Sequence, residues 1–306
     1  MKRQILTLVV VGLALGAAGC SSARPESPGT PSASPSASYP VTVGTLTLDK
    51  RPERVISLAP TATEMLFAVG AGKQVVAVDE FSTYPTDAPR TKLSGYKPNA
   101  EAISAERPDL VVLSDDRDKI VANLKALKIP VFLTPAASTL DDTYREITDI
   151  GTLTGHPKEA ADVVSGMRAD IAAALKDLPA RAKALTYFYE LDPGLFTVTS
   201  QTFIGSLLGQ AGLVNIADSA GAKDAYPQLS AEVVLKAGPD LIFLADTGAY
   251  GGQTAATVSA RAGWANVPAV KNHHVVELDA DIASRWGPRV VDLLRAVAKA
   301  AGEVPA

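Results

Sequence analysis

Cysteine occurs once in 306 residues, at position 20, and histidine only three times. A single thiol excludes an intramolecular disulfide and any Cys-based zinc or iron–sulfur site. Three histidines are few for a protein-built metal site, and His273 and His274, adjacent in a strand, would point to opposite faces. His156, before Pro157, suits a helix start. Excess positive charge is missing too: 29 Lys and Arg face 33 Asp and Glu, a net charge of −4. Phosphate neutralisation needs a basic face, so nucleic acid is not an expected partner. No G-x-S-x-G, Walker or dinucleotide glycine motif occurs. The acid pairs Asp115-Asp116 and Asp141-Asp142 each stand beside a helix start, where the dipole favours acid, and are expected to be caps. No catalytic residue and no cofactor site emerges, and no enzyme signature rises above background.

Two segments precede the folded body. Lys2 and Arg3 lead an apolar run, Ile5 to Ala18, that ends in AAGC at Cys20. As a helix that run spans about 21 Å, short of the roughly 30 Å hydrocarbon core. Residues 1–19 therefore form a signal peptide. The lone Cys20 just after a small-residue end resembles a bacterial lipobox, with Ala17 where leucine is usual; cleavage without lipidation is the alternative. Loss of Lys2 and Arg3 takes the net charge to −6. Residues 21–40 hold seven Ser and five Pro and bury almost nothing, so 20–44 is expected to be a lipidated tether. A body held near an extracytoplasmic membrane face is either a surface enzyme or a binding protein that hands cargo to a membrane partner.

The chain is 47% apolar overall, ample for a core, and the rest of it alternates. Strands are expected at 54–58, 74–78, 109–114, 130–134, 184–190, 240–245 and 274–278, short runs flanked by Pro, Gly or Asp and fit for burial on both faces of a parallel sheet. Helical spacing occupies 63–69, opened by a possible Thr63 cap, and 119–127, 140–153, 203–211 and 290–301. Lys158 to Leu178 lacks proline and carries one apolar stripe through Val163, Met167, Ile171 and Leu175, about 30 Å of helix between Pro157 and Pro179. The fold class is α/β: two lobes with mostly parallel sheets, 45–157 and 179–306, bridged by the helix at 158–178.

An internal repeat supports two related lobes. Residues 100–113, AEAISAERPDLVVL, match 231–244, AEVVLKAGPDLIFL, and Glu101 precedes Pro108 by the same seven positions that separate Glu232 from Pro239. Each copy is a short helix ending at Pro-Asp-Leu before a buried strand, so the glutamates form a matched surface pair. A second set gathers near strand ends: Phe81 and Tyr84 in FSTYP, Tyr96 in SGYKP, Phe196 after DPGL, Tyr226 in DAYPQ, and Arg285 and Trp286 in SRWGPR. Ligands of open α/β sheets bind outside the carboxyl ends of strands, and aromatics with an arginine fork suit a large ligand there. The alternative is ordinary core and turn packing.

The run RVISLAPTATEMLFAVGAGKQVVAV, then YP, then PNAEAISAERPDLVVL, and later AYPQLSAEVVLKAGPDLIFL and SRWGPRVVDLL, resembles metal-chelate substrate-binding proteins of ABC importers, the helical-backbone class of vitamin B12, ferric-siderophore and haem binders. The resemblance covers about residues 45 to 300. It implies a ligand in the cleft between the lobes, no resident cofactor or metal, and partnership with an ABC permease dimer and its ATPase. It implies that Glu101 and Glu232 dock on permease arginines and that Phe81, Tyr96 and Tyr226 line the cleft. Tyr96 and Tyr226 stand where a vitamin B12 binder has tryptophans, and tyrosine also suits ferric or haem ligands. Cobalamin is the first expected ligand, a ferric siderophore the second and haem the third. A monomer, lipid-anchored on the extracytoplasmic face, is expected.

Overall fold

A computed structural model describes residues 38–248 and 251–305. The signal peptide, Cys20 and the tether up to residue 37 lie outside the described residues.

The ordered body starts earlier than the sequence suggests. Strands β1 (Val41–Val43) and β2 (Leu46–Leu48) form an antiparallel hairpin, with Val41 opposite Leu48. Gly44 turns it at a φ of 56°, which glycine adopts without the Cβ clash. Residues 41–44, expected in the tether, are thus structured. Tyr39 donates its hydroxyl to the Leu153 carbonyl at 3.0 Å, tying the entry of the chain to the body.

The first lobe runs β3 (Val55–Ser57), α1 (Pro60–Ala68), β4 (Val75–Val78), α2 (Ala100–Ala105), β5 (Leu110–Leu113), α3 (Ile120–Ala126), β6 (Val131–Leu133) and α4 (Leu140–Thr154). Its sheet is parallel, in the order β4-β3-β5-β6. Helix α1 starts at Pro60, not at a Thr63 cap. Proline suits the first turn, while Thr63 lies inside the helix with its hydroxyl 3.2 Å from the Ala59 carbonyl and 2.9 Å from Ser57 Oγ. Asp142 caps α4 as expected, in a reciprocal box with Thr139.

Helix α5 (Pro157–Lys176) follows and packs along α4 and, further on, along α12 (Val290–Glu303). The approach to α4 is close: a Cβ on Gly151 would lie 2.3 Å from the Ala160 Cβ. Leu178, expected in the helix, lies beyond its end. His156 precedes the first turn of α5, with Nε2 2.8 Å from Arg51 Nη2.

The second lobe holds β7 (Thr186–Glu190), α6 (Phe203–Gln210), β8 (Val214–Asn215), α7 (Ile216–Ser219), α8 (Ala231–Ala237), β9 (Leu241–Leu244), α9 (Ala255–Ser259), α10 (Pro268–Lys271), β10 (Val275–Glu277) and α11 (Ala280–Ala283) before α12. Its parallel sheet is ordered β8-β7-β9-β10, the order of the first sheet strand for strand. The repeat is built alike in both lobes. Asn99 caps α2 and Ser230 caps α8, each accepting from the backbone three residues on. Asp109 accepts from the Arg54 amide at 2.9 Å and Asp240 from the Thr186 amide at 2.8 Å, pinning the central strand of each sheet to its neighbour.

Alternate strand residues face different cores. Val55, Leu110, Tyr187, Tyr189, Leu241 and Phe243 enter one cluster that also contains Met167 and Ile171 of α5 and Leu294 of α12. Ile56, Val111 and Leu113 face a separate cluster outside the first sheet, and Phe188, Ile242 and Leu244 one outside the second. The lobes thus share one apolar core and each keeps a private one.

Candidate functional site

A cavity of about 360 Å³ opens at the carboxyl ends of three strands of the first sheet. Leu58 to Thr61 leave β3, Asp79 and Phe81 leave β4, and Ser114, Asp115 and Arg117 leave β5. The connection between β10 and α12 crosses from the second lobe and adds Ser284, Arg285 and Trp286. Gly95 permits the tight floor, since a Cβ there would lie 2.2 Å from the Leu58 carbonyl oxygen. The next residue, Tyr96, is 67% exposed. The Arg117 guanidinium stands 4.3 Å above its ring, and Arg117 is paired with Asp115 at 2.8 Å. Asp115, expected to be a cap, belongs to this wall instead; Asp116 accepts from the Val121 amide at the start of α3.

Trp286 is fixed from two sides. Its Nε1–H donates to Glu146 Oε2 and its carbonyl accepts from Thr143 Oγ1, both at 3.0 Å. Burial pushes the Glu146 carboxyl up to about 7, against the indole hydrogen bond. Arg285 lines the cavity, but its guanidinium is spent internally. It meets Glu64 at 2.9 Å and Asp281 at 2.8 Å, and donates to the Phe81 carbonyl and Thr83 Oγ1. The arginine fork expected for a ligand is therefore a fastener between the lobes.

Asp79 and Glu64 are site residues that the sequence did not reveal. Asp79 is 2% exposed and ends a buried chain of hydroxyls: Ser82 Oγ donates to Asp79 Oδ1 at 2.6 Å, with Thr63 and Ser57 behind it at 2.9 Å steps. Burial raises the Asp79 carboxyl above its ordinary range, opposed by the Ser82 hydroxyl.

The remaining candidates lie elsewhere. Phe196 and Tyr226 are exposed on the second lobe, in paired segments after β7: Phe196 bridges Gln228, and the Thr197 amide donates to the Pro227 carbonyl. Neither lines the cavity. Tyr84 stacks on Arg289, 4.1 Å from its guanidinium, in a separate hollow with Glu64 and Pro288. Glu101 and Glu232 are exposed in the first turns of α2 and α8, with no hydrogen-bond or ion-pair partner among the described residues. Asp246, which follows β9 as Asp115 follows β5, is fully buried, and burial beside Glu190 pushes it up to about 6. The described residues contain no cluster of three or more His, Cys, Asp or Glu able to hold a metal.

The family described as periplasmic binding protein matches residues 55–282. The chain belongs to that family. It is 33% identical to a cobalamin-binding protein of Halobacterium salinarum, over 98% of this chain and 85% of the relative. It is 30% identical to the uncharacterized ABC transporter substrate-binding lipoprotein YvrC of Bacillus subtilis, over 83% of each. The structure superposes on the vitamin B12-binding protein BtuF of Vibrio cholerae with a TM-score of 0.66 at 28% identity, covering 83% of this chain and 99% of that one. As a periplasmic binding protein the chain is a solute binder and not an enzyme, and what it holds is cargo rather than a cofactor. No helix among the described residues is long and apolar enough to cross a membrane.

Proposed function

We propose that this periplasmic binding protein captures cobalamin and delivers it to an ABC importer from a lipid anchor on Cys20. The observation that carries the ligand is the cavity wall: Phe81, Tyr96 and Trp286 present aromatic surface at the carboxyl ends of β3, β4 and β5. A corrin arrives with its metal already coordinated, so the site needs flat apolar contact and a few polar partners, not ligating side chains. Phe196 and Tyr226 extend the same kind of surface on the second lobe, for parts of the ligand beyond the cavity. The cobalamin-binding name of the Halobacterium relative supports this ligand over a ferric siderophore or haem.

The deciding experiment uses protein lacking residues 1–37, titrated in parallel with cyanocobalamin, haemin and a ferric siderophore and followed by tryptophan fluorescence. Cyanocobalamin should bind tightest; a preference for haemin or the siderophore overturns the ligand assignment. The lipobox-like AAGC and the lipoprotein name of YvrC support the anchor. Changing Cys20→Ala should release the protein from membranes, and unchanged fractionation would remove the anchor.

A further inference from the structure

Four charged side chains line the cavity, and three of them are neutralised locally. Arg117 is paired with Asp115. Arg285 is held by Glu64 and Asp281, and Glu64 also takes Arg289 at 2.6 Å, so two cations and two anions balance. Asp79 is the exception: it has no ion-pair partner among the described residues. Its Oδ1 is committed to Ser82, whereas its Oδ2 has no hydrogen-bond partner there and lies beside Gly95 on the cavity floor, 3.5 Å from where a Cβ would stand. A carboxylate 98% covered that lines the cavity and takes its hydrogen bonds from Ser82 alone keeps acceptor capacity for a further donor.

We propose that Asp79 determines which chelates the cleft accepts, its Oδ2 receiving a hydrogen bond from an uncharged donor on the cargo, such as a primary amide, and repelling a carboxylate in the same place. This rests on cobalamin capture and adds a criterion to it. The corrin periphery carries primary amides, whereas haemin and carboxylate siderophores carry acids. An amide N–H meeting Oδ2 gives the carboxylate a donor in addition to Ser82. A ligand carboxylate there would place two desolvated anions together, with Arg285 already committed. Specificity would then come as much from the repelled competitor as from the favoured partner.

The test compares cyanocobalamin with its monocarboxylic acids, in each of which one peripheral amide is hydrolysed, on wild-type protein and on Asp79→Asn at pH 7.5. Wild type should bind at least one acid tenfold or more weakly than the parent. Asp79→Asn keeps an acceptor for Ser82, removes the charge, and should narrow that ratio to about threefold or less. Haemin should bind the variant more tightly than wild type. Asp79→Ser supplies the same comparison if the Asn variant does not fold. A ratio unchanged by removal of the charge, or a wild type indifferent to amide hydrolysis at every position, overturns the role of Asp79 while leaving cobalamin capture intact. Failure of wild type to bind cyanocobalamin at all overturns both.

Discussion

The carboxylate of Glu64 on α1 and the guanidinium of Arg285 before α12 meet at 2.9 Å, although 221 residues separate them in the chain. Their side chains are 2% and 8% exposed, and Arg289 makes two further bonds to the same carboxylate. Removing one partner of a buried pair strands the other charge, a loss of about 3–5 kcal/mol. Glu64→Ala leaves two arginines facing each other and should lower the unfolding free energy by that amount. Denaturant titration checks it; a change below about 1 kcal/mol would mean water already reaches the pair.

The shared core makes a second expectation. Residues from both sheets, α5 and α12 interdigitate in one cluster, so the lobes cannot separate widely without exposing it. Small-angle scattering with and without cyanocobalamin should give nearly the same radius of gyration. A large closure would contradict a stiff connection through α5.

Glu146 predicts a pH dependence of known sign. Burial raises its carboxyl from the ordinary 4.5 to about 7, and Asp142 adds to the shift while Arg145 opposes it. The folded state therefore binds the extra proton. The stability this group contributes is fully present below about pH 4.5 and is lost as pH rises through about 7. Glu146→Gln keeps an acceptor for Trp286 and removes the titration. Relative to wild type it should be more stable at pH 8, by on the order of 1–2 kcal/mol, and nearly equal at pH 4.5. Thermal melts of both proteins across that range measure the difference, and parallel curves would remove Glu146 as its source.

The exposed tyrosines separate ligand contact from packing. Tyr96 lines the cavity and Tyr84 sits on Arg289 in another hollow. Truncating an aromatic anchor costs about 2 kcal/mol or more, roughly thirtyfold in affinity. Tyr96→Ala should weaken cyanocobalamin binding by about that factor and Tyr84→Ala by less than about threefold, both with near-wild-type melting. Equal effects would mean that Tyr84 also touches the ligand.

Which of these features sequence reasoning reaches depends on whether the signal is local. β3, β5, β7 and β9 were legible because each is a short apolar run closed by Pro, Gly or Asp. The repeat was legible because a glutamate and a Pro-Asp-Leu seven positions on recur in both lobes; the caps and the pinning bonds of the aspartates appear only in the fold. The β1–β2 hairpin was not, since three-residue strands after a Ser/Pro segment carry almost no pattern. Glu64 looks like any helix carboxylate until Arg285 is seen against it, and Asp79 like any acid that ends a strand. The sense of Tyr84 could not be read either, because position in a loop does not fix which way a ring turns. Phe81, Tyr96 and Trp286 reached the cavity because strand ends fix where such loops gather, not where each side chain points.

The glutamate pair tests delivery apart from capture. Glu101 and Glu232 occupy the same first-turn position in two helices built alike, and both are exposed without partners among the described residues. A carboxylate so placed favours its own helix N-terminus by about 0.3–1 kcal/mol whatever else it does. If that is its whole role, Ala at both sites lowers stability slightly and leaves uptake normal at matched expression. Docking on a two-fold permease predicts something else, because exposed charge pairs at an interface govern encounter and register more than ligand affinity. The Glu101→Ala, Glu232→Ala double variant should then bind cyanocobalamin as wild type does and yet support little uptake. Lysine at both positions should be worse than alanine, since like charges would meet at the interface. Affinity, melting temperature and cellular uptake measured on the same variants distinguish the two roles. Normal uptake by the double lysine variant would leave the repeat as a structural device that caps two helices and pins two strands.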